Sequence, residues 1–457
     1  MVTTVIYFAT NINDDTMKRN KKWKVVLLVV IGCFIALQFI RPRITNPPVT
    51  GEPDVPPEVS AVLRKACYDC HSNETRLAWF DQVSPAIWLV AGHITEGRRV
   101  LNFSTWDSVP KDQQKGKLFE SLNQMEFNVM PLSQYTALHP AARLTHGEIS
   151  ILKNYLATQL TPVKPDSNKT AAANRQYAAW QPDSPIAKVL PVSNGIAYMP
   201  EYKDWEAISS TQRLDNGTMR VITGNDIAVK AIREHQTNPW PDGTAFAKIA
   251  WDELTDATGN ITPGEFKQVE FMIKDSHQYA STKGWGWARW KGTDLKPYGK
   301  NALFTMECVN CHQPMRNNDF VFTTPTQHTA ASLPDTLGLK RNEWKVITSG
   351  IQKDPKTMST LYGNERALAS ARKGAATYPA DALLTLVTWK QQPDDHWFGA
   401  VIPGIVASVE QVQFQPGNIS PLYKKYTGKN FIADKTSEEE IKSRIDYIIR
   451  QRASVMP

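Results

Sequence analysis

Cys308-Val309-Asn310-Cys311-His312 reads C-x-x-C-H, the attachment signature of a c-type haem. The spacing has a chemical reason. Two thiols two residues apart can each form a thioether to one haem vinyl group, and the histidine that follows is held under the iron as its proximal ligand. The pattern recurs at Cys67-Tyr68-Asp69-Cys70-His71. One copy alone could be a metal or redox pair. Two copies, each with the adjacent histidine, point to two covalently attached c-type haems. Cys67, Cys70, Cys308 and Cys311 are then the attachment points, and His71 and His312 the iron ligands.

The fifth of the five cysteines, Cys33, lies in an apolar run, so no intramolecular disulfide framework is expected. The chain has 457 residues, enough for two to four domains, and 14 tryptophans, which suit large flat pockets. Its net charge of +7 is concentrated at the start. Residues 1–44 carry seven Lys/Arg against Asp14 and Asp15, or +5, leaving 7 − 5 = +2 for the remainder. Such a balance implies no nucleic-acid partner and reads instead as a membrane boundary. Val25–Ile40 is nearly all apolar and would reach about 24 Å at about 1.5 Å per residue. Basic residues precede it, which predicts an N-terminal anchor in the bacterial inner membrane with the functional domains in the periplasm. A cleaved signal peptide, or a lipoprotein box around Cys33, is the alternative.

Arg41–Pro57 is proline-rich and reads as a stiff linker. Val59, Val62, Leu63 and Ala66 then follow helical spacing and deliver Cys67 to the first haem. Met130, in Asn128-Val129-Met130-Pro131-Leu132, stands where a small c-type cytochrome places its sixth ligand. A thioether opposite a histidine closes both axial positions and raises the reduction potential. His93, His139 and His146 are rivals. Thr145-His146-Gly147-Glu148 is a capping box that opens a helix carrying Leu152 and Leu156 on one face. The polar stretch 161–175 reads as a linker.

Residues 205–270 and 344–410 align with each other. Thr218-Met219 recurs as Thr357-Met358, Gly224-Asn225 as Gly363-Asn364, and Pro263-Gly264 as Pro403-Gly404. Each copy reads strand, helix, strand, strand, and the product expected is an antiparallel sheet with short helices on it. The first copy ends in the second haem motif; the second copy has none. In the strand around Lys248, the residues Phe246, Lys248 and Ala250 share a face whose counterparts are Leu384, Leu386 and Thr388. A lysine within such a buried face is costly unless it is used. Asp395-His396-Trp397-Phe398-Gly399 is the densest feature of the second copy. A second capping box, Ser437 with Glu440, opens a C-terminal helix with Ile441, Ile445, Ile448 and Ile449 on one face.

These residues carry a resemblance. The span 50–160 resembles the bacterial haem-binding cytochrome domain, through Cys67 to Thr75, Leu101-Asn102-Phe103-Ser104 and Met130-Pro131-Leu132. The span 200–325 resembles the cytochrome P-460 family, through its Asn-containing strand-to-helix turn, Pro241-Asp242-Gly243-Thr244, Gly284-Trp285-Gly286 and the terminal haem motif. Residues 340–415 look like a haemless second member. The resemblance implies a five-coordinate haem on a mainly antiparallel β fold. In that family a lysine cross-linked to the haem edge accompanies hydroxylamine oxidation, and relatives without it bind nitric oxide or similar gases. Lys248 is the candidate for that lysine.

The expected architecture is multidomain α plus β. It comprises a basic N-terminus (1–24), an anchor (25–41), a linker (42–57), an all-α class I-like c-type cytochrome domain (58–160), a linker (161–199), a P-460-like haem domain (200–325), its haemless repeat (326–430) and a C-terminal helix (431–457). The expected function is a dihaem oxidoreductase acting on a small nitrogen substrate or gas. It would pass electrons to a redox partner protein or a quinone-linked chain. A gas-binding protein without turnover and a plain electron carrier are the alternatives.

Overall fold

The computed structural model describes residues 22–160, 164–180, 188–326, 344–375, 377–417, 420–428 and 431–457. Residues 1–21, most of the basic N-terminal segment, lie outside the described residues, as do parts of the two spans between domains. The chain divides into two compact units, Met1–Gln114 with Ser133–Glu148, and Lys115–Leu132 with Ile149–Pro457.

The expected membrane anchor does not hold. Residues 22–37 are helical, and the chain then turns. Gln38 ends the helix: its side-chain amide donates to Phe34 O at 3.0 Å and to Ser84 O at 3.2 Å, and accepts from Ser84 N at 2.9 Å. Trp88 Nε1 donates to Ile40 O at 3.0 Å. The last three residues of the apolar run are therefore tied to the haem-binding unit rather than continuing the helix. The apolar part that stays helical, residues 25–37, reaches about 20 Å, short of a hydrocarbon layer of about 30 Å. No helix among the described residues is long and apolar enough to cross a membrane. The inner-membrane and periplasmic placement rested on that anchor and falls with it.

The first unit is helical. Helix α1 (Pro57–Ala66) runs into a short turn of helix, Tyr68–His71, that carries the first haem motif. Helix α2 (Ala86–Val100) passes so close that a Cβ on Gly97 would stand 2.6 Å from Cys70 O. Helices α3 (Lys111–Glu126) and α4 (His146–Thr158) begin in this unit and run on in the second. The Thr145–Glu148 box forms as expected, with Thr145 N donating to Glu148 Oε2 at 2.9 Å and Glu148 N to Thr145 Oγ1 at 3.2 Å.

The span read as a linker contains helix α5 (Ser167–Ala179), capped by Asp166 accepting from Asn168 N and Lys169 N. Tyr177 and Trp180 pack against the β core, and Gln176 bonds both backbone groups of Phe266.

Each repeat opens with a strand the sequence pattern does not reveal, because Glu206–Arg213 is mostly polar. The first repeat is β1 (Glu206–Arg213), β2 (Thr218–Gly224), helix α6 (Asp226–Arg233), β3 (Ala245–Thr255), β4 (Ile261–Lys274), β5 (Trp285–Lys291) and β6 (Lys296–Pro297), closing on helix α7 (Thr305–His312). The second is β7 (Lys345–Gln352), β8 (Thr357–Gly363), helix α8 (Glu365–Arg372), β9 (Leu383–Pro393), β10 (Ala400–Gln413), β11 (Leu422–Thr427) and β12 (Ile432–Ala433), closing on helix α9 (Glu438–Ile449). The recurring Gly-Asn dipeptide has one job in both copies. Asn225 caps α6 by accepting from Ala228 N at 3.0 Å, and Asn364 caps α8 by accepting from Ala367 N at 3.0 Å.

The two repeats do not form separate sheet domains. The antiparallel order β1-β2-β3-β4-β7-β8-β9-β10 returns to β1 and closes an eight-stranded barrel. The two seams are equivalent: Ile261 pairs with Ile351, and Val401, the counterpart of Ile261, pairs with Gln212, the counterpart of Ile351. Each repeat alone would leave two edges of unpaired N–H and C=O groups, and closure on its twin removes them. The barrel interior draws on both repeats, with Val221, Ile249 and Val269 meeting Val346, Val387 and Val409 in one core cluster. Outside it, each repeat keeps its own apolar face. That of the first holds Phe246, Trp285, Trp287 and Val309 of α7; that of the second holds Leu384, Leu386 and Ile448 of α9.

Candidate haem sites

The first site is built on Cys67, Cys70 and His71. His71 Nδ1 lies 3.0 Å from Leu101 O, at the end of α2. Donation from Nδ1 puts the lone pair on Nε2, the tautomer an iron ligand needs. Phe103 N donates to His71 O at 2.8 Å, Asn73 N to Ser104 Oγ at 3.0 Å, and Asn102 Nδ2 to Asn73 Oδ1 at 2.8 Å. The two sequence stretches 67–75 and 101–104 are thus one structural piece. Burial pushes the Cys67 thiol up to about 12 and the Cys70 thiol up to about 11. His139 is set aside as a ligand because both ring nitrogens are engaged, Nδ1 with Tyr135 O at 3.1 Å and Nε2 with Asp81 Oδ2 at 3.0 Å.

Met130 belongs to the other compact unit. It lies half-buried on the loop after α3, with its N–H on Gln124 O at 3.1 Å. Gln124 also donates its side-chain amide to Asn310 O, inside the second haem motif, at 3.0 Å. Nothing in the sequence signals that link.

The second site lies on the outer face of the barrel. Helix α7 presents Cys308, Cys311 and His312 to it. His312 Nδ1 lies 2.7 Å from Phe320 O, and the ring packs against Trp287 at 4.6 Å and Phe322 at 4.9 Å between centroids. Burial holds its conjugate acid down to about 4, so the imidazole is neutral and able to coordinate. Cys308 and Cys311 are pushed up to about 11 and about 12 by the same cause.

The wall is a row across four strands. Ile222, Lys248, Glu270 and Arg289 are direct cross-strand neighbours on β2, β3, β4 and β5. Lys248 Nζ sits 2.5 Å from Glu270 Oε2, and Arg289 Nε 3.1 Å from Glu270 Oε1. The burial expected for Lys248 is met by an ion pair. Lys248 keeps 29% of its side chain accessible, yet desolvation holds its ammonium pKa down. Burial alone would raise the Glu270 carboxyl, but Arg289 and then Lys248 outweigh it and hold the group well below the usual range. Arg220 on β2, which the sequence did not single out, is held down to about 10 by burial. Its Nε and the Trp287 Nε1 are buried donors without an acceptor among the described residues. A haem fits these needs: two thiols and an imidazole on one helix, and buried donors and cations on the facing wall for its carboxylates.

The second repeat shows what the wall becomes without that helix. Leu386 and Ser359 replace Lys248 and Arg220. Glu410, the counterpart of Glu270, is bound by Arg444 of α9 at 2.7 and 2.8 Å and by Tyr423 Oη at 2.7 Å. The Asp395–Gly399 stretch is a packing element. Phe398 stacks on Phe119 of α3 at 5.8 Å, and Trp397 meets Phe322 at 5.6 Å.

Two histidines oriented through Nδ1, each beside a half-buried cysteine pair, are the residues a haem protein needs. Residues 32–158 match the family model of a haem-binding domain, and residues 199–323 match that of cytochrome P460. The chain therefore carries a haem-binding domain followed by a cytochrome P460 domain. No curated protein matches it.

Proposed function

We propose that the chain is a dihaem c-type redox protein that oxidises a small nitrogen compound, such as hydroxylamine, beside His312. Electrons would leave through the His71 site, with Met130 as its sixth ligand, to a redox partner protein or a quinone-linked chain. The observation that carries this reading is the wall of Lys248, Glu270, Arg289 and Arg220, in which Lys248 and Arg220 give way to Leu386 and Ser359 in the repeat that lacks the haem motif.

Haem iron, when bound, supplies a coordination position for the small ligand and a one-electron acceptor. The protein's part is selection and orientation. Three cations face one carboxylate in this wall, a surplus that suits the carboxylates of the haem Cys308 and Cys311 would hold. Glu270, ionised and shared between Lys248 and Arg289, fixes both cations in place. Trp287 and Phe322 close the flanks of His312 against water. Hydroxylamine turnover by the haem-loaded protein with an artificial acceptor is the test. Turnover that falls by an order of magnitude or more in Lys248→Met supports the reading. A loaded protein whose second haem exchanges ligands but turns nothing over sinks it.

The Lys248–Glu270 ion pair favours a second reading, a binder of nitric oxide or a related gas. An ammonium held at 2.5 Å from a carboxylate has no lone pair for a bond to the porphyrin edge. Denaturing mass spectrometry separates the two. A Lys248 peptide that carries haem mass after unfolding rules out the gas-binding reading.

A further inference from the structure

Beyond the wall, an ion pair behind His312 has no role in the reading above. After α7 the chain turns back, and Asp319 and Phe320 both adopt left-handed backbone, with φ of 46° and 64°. Neither is glycine, so the conformation needs support from outside the loop. The support is dense. Lys274 Nζ donates to Asp319 Oδ1 at 2.7 Å and Oδ2 at 2.8 Å, with only 8% and 10% of the two side chains exposed. Trp240 N donates to Asp319 Oδ2 at 2.9 Å, Trp285 Nε1 to Asp319 O at 2.8 Å, and Phe320 N to Met315 O at 2.8 Å. The result is the Phe320 carbonyl held 2.7 Å from His312 Nδ1.

The duplicated fold provides its own control. Lys274 exchanges backbone hydrogen bonds with Gly243 and Thr244, and Phe414 makes the same pair with Asp381 and Ala382 in the second repeat. Phe414 stacks on Tyr378 at 5.4 Å. The barrel therefore does not need a lysine at this position. It occurs in the copy that has a histidine to orient.

We propose that the Lys274–Asp319 pair is a positioning element that sets how strongly His312 donates to iron, acting through the Phe320 carbonyl. This rests on His312 being the proximal ligand. Donation from Nδ1–H to a firmly held carbonyl enriches the ring, strengthens Nε2 as a ligand and favours the oxidised metal. If the pair is lost, the left-handed residues relax, the hydrogen bond lengthens, and the potential rises.

The experiment compares the full-length, haem-loaded protein with the double variant Lys274→Met/Asp319→Asn. Removing both charges avoids the cost of leaving one buried and unpaired. Two readouts are taken: the reduction potential of the haem attached at Cys308 and Cys311, and the iron–histidine stretching frequency of its reduced form. We expect a positive shift of that potential and a lower frequency, with the first haem unchanged. Lys274→Arg, which keeps the charge, should stay close to wild type. Lys267→Met, which breaks the more exposed Lys267–Asp252 pair on the same strand, should move nothing. If that double variant folds poorly, Lys274→Gln/Asp319→Asn, which also removes both charges, should show both shifts in the same direction. Wild-type potential and frequency in a folded charge-removed variant overturn the proposal. A stretching band that survives His312→Gly is a different failure, because it removes His312 as the ligand and takes the underlying site reading with it.

Discussion

Single side chains here are read by what surrounds them. Glu253 on β3 is 1% exposed, and burial raises its carboxyl from an ordinary 4.5 to about 7. A carboxyl raised on folding stabilises the protein while protonated, and that stability is lost as pH rises from the unfolded value through the folded one. The loss should reach about 3 kcal/mol by pH 8. Glu253→Gln should be near neutral at pH 4.5 and more stable than wild type at pH 8, as checked by urea unfolding at both. Met130 is a prediction of another kind. If it is the sixth ligand proposed for the first haem, Met130→Ala lowers that haem's potential and lets it bind carbon monoxide, while the second haem is unchanged. Titration with carbon monoxide in the visible region reads this, and an indifferent first haem excludes the methionine.

Helices α7 and α9 show how one position in a fold can be filled in two ways. Both follow the last strands of a repeat and cover its outer face, α7 with Val309 and α9 with Ile448. One brings the Cys–His motif; the other brings Arg444 to Glu410 and adds Ile445, Tyr447 and Ile449 to the apolar cluster. Ile448 is fully buried, so Ile448→Ala should cost roughly 3 kcal/mol, measured by denaturant titration. Most of these elements were legible in advance. The apolar spacing in α1 and α9, the two capping boxes and the Gly-Asn turns each have a local cause that a sequence carries. Strands β1 and β7 were harder: Ser209, Ser210 and Thr211 break the alternation, because both faces of a barrel strand covered inside and out are buried. The apolar run at 25–40 misled in the other direction. Its length suggested a span, and only the bonds from Gln38 and Trp88 show where it stops.

For the molecule as a whole, closure of the barrel couples the two repeats. Their shared interior means that the haem-bearing repeat owes part of its core to the haemless one. Val387, fully buried and in the second repeat, tests this. Val387→Ala should cost about 2 kcal/mol and lower, by the same amount, the stability read at the second haem's absorbance. A change confined to tryptophan fluorescence, with the haem signal unmoved, would show that the repeats unfold apart.

The sequence by itself determined the chemistry that is local in the chain: two Cys–His attachment motifs, the duplication, the capped helices, and a lysine on a face where lysines are costly. Each follows from spacing along a few residues. Only the tertiary structure decided that the two repeats share one barrel, that Glu270 and Arg220 join Lys248, that Phe320 orients His312, and that the N-terminal helix ends where Gln38 bonds Ser84. Those facts depend on which strand edges pair and which distant side chains meet, and residues far apart in sequence leave no local pattern from which to read such meetings.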